Sequence, residues 1–142
     1  MIHADADRAG RSILTRLAAG MRRTFVLMDL VAVLVFVGIG RGVHAHGLGL
    51  DGVVSTAWPF VSGLAVGWML VLARRQELVS LASGLWVSIS TVALGMALRV
   101  VAGQGTAVPF VIVALGFLGA AMLGWRWCRA LLGRRQRPGR TS

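Results

Sequence analysis

The chain has 142 residues, 56% of them hydrophobic, a mean hydropathy of +0.76 and a formal net charge of +10. A soluble domain of this size rarely needs so much apolar material, so the composition excludes an ordinary soluble globule. The charge comes from fifteen arginines and no lysine, clustered at a few points rather than along one face, which argues against a nucleic-acid partner.

Residues 1–23 form a basic N-terminal segment. Within it Ile13, Leu14, Leu17 and Met21 fall near one helical face with Arg8, Arg11, Arg16 and Arg22 around it, which fits an interfacial helix; a disordered basic tail is the alternative. The first apolar run, Phe25–Gly40, carries one charge, Asp29. Its predicted helix, 24–41, is short for a span, but Arg22 and Arg23 can snorkel and extend it. A cleaved leader is disfavoured: the preceding tail is long for its basic region, and Asp29 interrupts the apolar stretch. A Gly-rich loop, Arg41–Gly52, follows and carries Arg41, His44, His46 and Asp51. Three charge-free runs then predict helices at about 54–73, 78–99 and 107–127, each within the roughly 17–25 residues that span a bilayer. Short loops separate them at Arg74–Glu77 and Val100–Gly105. Residues 128–142 read as a basic, disordered tail holding the single cysteine, Cys128, which permits no intrachain disulfide.

Thirteen arginines lie at the termini and the 74–77 loop, against only Arg41 and Arg99 on the other side. The positive-inside rule then puts both termini in the cytoplasm, in a plasma-membrane protein whose basic tails attract anionic lipids. The expected fold is all-α: an integral-membrane four-helix bundle made of two tandem hairpins. A near-repeat supports the tandem reading. Thr56-Ala57-Trp58-Pro59-Phe60-Val61 and Thr106-Ala107-Val108-Pro109-Phe110-Val111 agree at five of six positions. Each is expected to open a helix, with Thr as cap and Pro in the first turn.

Small residues mark packing faces: Gly63 and Gly67 in the second helix, Gly84, Ser88 and Gly95 in the third, Gly116, Ala120 and Gly124 in the fourth. In lipid, such residues let backbones approach closely. Trp58, Trp125 and Trp127 suit a membrane-interface belt. Trp68 lies deeper; bulky packing is the preferred reading and a ligand-facing aromatic wall the alternative, and Ser88, Ser90 or Thr91 could supply an acceptor for its indole N–H.

Asp29 is the sole acidic residue inside a predicted span, and an intramembrane carboxylate normally has a partner or a function. An ion pair with Arg126 is the preferred reading, with Arg75 and Arg22 as alternative partners and proton coupling as the functional alternative. On the opposite side Arg41 and Arg99, with the helix starts at Thr56 and Thr106, form a possible anion patch. Arginines that merely complement their own helix ends are the simpler reading. His44, His46 and Asp51 could form half of a metal site, but a third strong ligand is missing. No catalytic constellation stands out, and no cofactor is expected.

Asp29, Phe36, Gly40-Arg41, His44, Pro59-Phe60, Gly67-Trp68, Arg99, Phe110 and Gly124-Trp125-Arg126 together resemble the family named domain of unknown function 3054, small four-span membrane proteins of bacteria and archaea. The resemblance covers residues 24–127 and implies no reaction. It places Asp29, Arg41, His44, Arg99 and Arg126 on the family pattern, and leaves His46, Asp51 and Cys128 off it. The expected function is a non-enzymatic multi-pass membrane protein that packs with itself or a partner. The alternatives are a small oligomeric transporter or channel for a small anionic solute, proton-coupled through Asp29, and, more distantly, a membrane metal protein.

Overall fold

A computed structural model describes the backbone of residues 2–43 and 49–135, and the side chains of residue 20 and residues 22–42 and 49–132. Four helices account for almost all of it: α1 (Ile2–Val43), α2 (Leu50–Ala73), α3 (Leu81–Val101) and α4 (Val108–Arg135). Each contains a stretch long and apolar enough to cross a membrane, and the chain is a multi-pass membrane protein. Each helix packs on its neighbours in sequence, and α4 returns to α1, giving a four-cornered bundle. The start of α1, the end of α4 and the α2–α3 turn lie at one end, called here the terminal end. The end of α1, the start of α2 and the α3–α4 turn lie at the far end.

The helix boundaries depart from expectation in instructive ways. α2 begins at Leu50 rather than 54, because Asp51 in its first turn complements the helix dipole where the composition resembles a loop. α3 begins at Leu81 rather than 78: Ser80 is the N-cap, its Oγ accepting from Ser83 N at 3.1 Å, so Leu78 and Val79 stay in the turn. α4 runs on to Arg135, past the expected end at 127, since Arg129, Ala130, Leu131 and Leu132 are all good helix formers. α1 is continuous from Ile2, so the basic N-terminal segment extends the first span as one helix. Residues 136–142 of the tail lie outside the described residues.

Both hairpin-type turns end their first helix in the same way. After α3, Gly103 N–H donates to Val100 O at 3.0 Å and Gln104 N–H to Arg99 O at 2.9 Å, the paired closure of a Schellman motif. Gly103 there has φ +68°, a conformation that costs glycine little. After α2 the same closure joins Arg75 to Leu72 and Gln76 to Val71, with Arg75 itself at φ 51°.

The α2–α3 contact is the tightest backbone approach in the bundle. A Cβ built on Gly63 would lie 2.7 Å from Thr91 O, and one on Gly67 would lie 3.1 Å from Val87 Cα. On α3, Gly95 makes room for the Phe60 ring, 2.7 Å from where its own Cβ would be. The α4 glycines differ: Gly116, Gly119 and Gly124 would meet nothing within 4 Å. The bundle centre is aromatic. Phe36 of α1 packs on Phe60, Phe110 and Phe117 at 5.5, 5.6 and 5.8 Å between centroids, within the range of favourable ring contacts. Ala substitution at Gly63 should therefore destabilise the purified protein by about 1–3 kcal/mol, read as detergent or thermal unfolding. Gly119→Ala should leave stability unchanged or slightly raised.

Candidate functional site

Polar side chains concentrate at the two ends of the bundle, and the two ends are built differently. At the terminal end, Asp29 of α1 and Arg126 of α4 are both fully out of contact with solvent (0% and 1% exposed). Arg126 Nη2 donates to Asp29 Oδ2 at 2.8 Å, and Nη1 donates to Oδ1 at 2.9 Å, a two-pronged pair. Trp125 Nε1–H donates to the same Oδ1 at 3.0 Å. The second Nη1–H reaches back to Met122 O at 2.7 Å and Nε–H reaches across to Leu78 O at 3.4 Å. The pair thus joins α1, α4 and the α2–α3 turn. Aromatic faces enclose it: Trp125 lies 4.2 Å and Trp68 5.8 Å from the guanidinium carbon, and Phe25 stacks on Trp125 at 5.2 Å.

The local sequence makes this seat. Gly84 of α3 has no side chain where the Arg126 stem passes; a Cβ there would lie 2.7 Å from Arg126 Cδ. Ser83 Oγ–H donates to Glu77 O at 2.7 Å, fixing the turn that presents the Leu78 carbonyl. Arg22 and Arg75, the alternative partners for Asp29, are both solvent-exposed and take no part. Trp68 Nε1 has no hydrogen-bond partner. Ser88 and Thr91, two of its three candidate acceptors, donate to Gly84 O and Val87 O of their own helix at 2.8 and 2.7 Å, the back-bonding usual for such residues inside helices.

Among the described residues the far end is open. A cleft of about 510 Å³ lies there between all four helices. Phe36, Val37, Gly40 and Arg41 line it from α1, Ser55 and Thr56 from α2, Arg99 from α3, and Gln104 and Phe110 from the α3–α4 turn and α4. The structure therefore brings Arg41, Arg99 and Thr56 to one cavity, while Thr106 stays exposed and outside the lining. Arg41 Nη1–H donates to Thr56 Oγ1 at 3.1 Å, and Thr56 Oγ1–H donates to Gly52 O at 2.9 Å.

Neither threonine caps a helix. Thr56 lies inside α2, two turns past its start at Leu50, and α4 starts at Val108, beyond Thr106. The two similar segments thus sit at different positions along their helices. What they share is depth: Phe60 and Phe110 meet 6.2 Å apart. The extra turns of α2 rise past that level and wall the cleft. The α2 start therefore sits above the cleft rather than pointing into it.

One consequence was invisible in the sequence. Pro59 lies inside α2 and has no N–H to give to Ser55 O, its partner four residues back. The Gln104 side-chain amide supplies that bond, donating to Ser55 O at 2.8 Å. Gln104 in turn accepts from Arg99, whose Nη1–H reaches Gln104 Oε1 at 3.0 Å and whose Nη2–H reaches Gln104 O at 3.4 Å. Arg99 lies over the Phe110 ring at 4.9 Å, and its Nε is buried without a hydrogen-bond partner. Gln104 was unassigned from sequence; the signal that could have found it is the carbonyl that an in-helix proline leaves open.

His44 and His46 lie outside the described residues. Asp51 is exposed in the first turn of α2, Cys128 is exposed on α4, and no three potential ligands of the His, Cys, Asp and Glu types come together among the described residues.

Gln104→Leu should destabilise the protein by about 1 kcal/mol, the usual net worth of one hydrogen bond. In a Pro59→Ala background, where residue 59 regains its N–H, the same change should cost clearly less. Unfolding of the four proteins of this cycle measures it; equal costs in the two backgrounds would refute the proline link.

No curated protein and no solved structure matches the chain. A family profile matches residues 26–129, a stretch that holds Asp29, the lining of the cleft and Arg126, and the chain belongs to that family, described as protein of unknown function DUF3054.

Proposed function

We propose that this is a non-enzymatic protein of the plasma membrane, with both termini cytoplasmic, that packs with a second copy of itself through α4. The observation that carries the self-packing is the outward small-residue stripe. Gly116 and Gly124 have open space where a Cβ would be, and Ala120 between them is exposed. The same small-residue spacing on α2 serves a close backbone contact with α3 inside the chain. Beside Ala120 and Gly124 runs an apolar groove of about 590 Å³ between α3 and α4, bordered by Leu81, Leu85 and Trp127. Helix association in lipid rests on such close approach.

The orientation rests on the arginine asymmetry in the sequence, thirteen in the terminal segments and the 74–77 loop against Arg41 and Arg99 in the other two connections. It puts the Asp29–Arg126 pair on the cytoplasmic side and the cleft on the outer side. Both Asp29 oxygens are held by donors, which favours a structural pair over a proton-coupling group. The cleft favours a second reading, passage of a small anionic solute, in which the outer arginines receive it.

Energy transfer between donor- and acceptor-labelled copies in vesicles, read against surface density, tests the self-packing. Gly124→Leu should lower association at least fivefold without loss of folding. Density-independent transfer in the unaltered protein would contradict the proposal, and reporter fusions placing either terminus outside would overturn the orientation.

A further inference from the structure

We propose that the far-end cleft is a binding site for a small organic monocarboxylate with an apolar, preferably planar, body. The cleft's cationic side is Arg99 and Arg41, and none of its lining residues among the described ones is acidic. Two guanidinium groups facing one partly enclosed space raise the local concentration of anions.

Arg99 has a specific edge to offer. Its Nη1 holds Gln104 Oε1 firmly at 3.0 Å, whereas Nη2 reaches Gln104 O only at 3.4 Å and Nε has no partner. The Nε and Nη2 groups form the side edge of the guanidinium fork, and a carboxylate accepts from such an edge through two parallel bonds. The Nε is itself out of solvent contact, so a carboxylate must displace the groups that cover this edge, and in doing so it would pair an N–H that the structure leaves unpaired, a buried donor whose neglect costs free energy. The Gln104 side chain, anchored on Ser55 O at 2.8 Å, keeps the Nη1 side occupied and so fixes which edge remains.

Beside the polar Ser55, Thr56 and Gln104, the cleft has an apolar side made by Phe36, Val37, Gly40 and Phe110. Phe36 and Phe110 form an aromatic floor, 5.6 Å between centroids, and Arg99 already lies over Phe110. A flat ring attached to the carboxylate would lie along the same surface. A phosphate group matches the charge but gains nothing from that floor. The proposal needs the cleft alone, neither self-association nor transport, so failure of either reading above leaves it standing.

The test uses the full chain in nanodiscs of uncharged phosphatidylcholine, with equilibrium dialysis of labelled benzoate. Acetate, inorganic phosphate and the uncharged isostere benzamide serve as competitors, and a second set of discs contains phosphatidylglycerol. Benzoate should bind saturably and at least tenfold more tightly than acetate or phosphate, with no competition from benzamide. Arg99→Gln should weaken it at least tenfold. Gly40→Leu provides a variant that does not depend on removing a structural arginine. Gly40 lines the cleft, and an added Cβ would meet nothing within 4 Å, so the side chain fills the cavity and should abolish binding in a protein that melts normally. The proposal is overturned by absence of saturable benzoate binding, by binding that survives Gly40→Leu, or by phosphate competing as well as benzoate. Loss of benzoate binding in the phosphatidylglycerol discs alone would instead assign the cleft to a lipid headgroup and overturn the proposal equally.

Discussion

A carboxylate and a guanidinium are taken wholly out of solvent at one end of this bundle, and each is costly to bury alone. The surrounding sequence is organised to make the burial tolerable. Trp125 adds a third donor to Asp29, the Met122 and Leu78 carbonyls take two more of the guanidinium protons, and Gly84 vacates the volume the arginine stem fills. Because the pair spans α1 and α4, it closes the ring of helices at the seam between the first and last helix. The α2–α3 contact needs no such device: its glycines bring backbone against backbone, which holds helices together in lipid without burying charge.

The far end follows the opposite logic. There α2 rises about two turns above the level of Pro59, and the arginines at the ends of α1 and α3 turn toward the space it walls. Arg99 donates to Gln104, a neutral group, where Arg126 is held by a carboxylate. A sealed end and an arginine-lined cleft lie on one α1 helix, Asp29 and Arg41 being about 18 Å apart at 1.5 Å per residue. That asymmetry distinguishes the chain from a bundle made of two equal hairpins, although Phe60 and Phe110 still meet at a common depth.

The four spans were legible in the sequence because a water-soluble fold has little use for charge-free runs of bilayer length. The Asp29–Arg126 contact was legible for a related reason: arginine counting put both residues at the same end, and a lone intramembrane carboxylate demands a partner. The helix ends were less legible. Asp51-Gly52 has the composition of a loop, yet an acidic residue suits a helix start. Thr-Ala-x-Pro has the composition of a helix start, yet in α2 it lies well inside. Gln104 was not legible at all. Its role exists only once the fold sets the α3–α4 turn beside the Ser55 carbonyl that Pro59 cannot serve, a relation between segments 49 residues apart.

The central claim is that Asp29 and Arg126 stabilise the bundle as a pair rather than as separate functional groups. Detergent-driven unfolding of the purified protein carrying Asp29→Asn, Arg126→Met or both tests it most directly. Each single change should cost about 3–5 kcal/mol by stranding its partner, and the double variant should fall short of the summed costs by about 1–3 kcal/mol. Strictly additive losses, or an Asp29→Asn protein as stable as the unaltered chain, would contradict that claim.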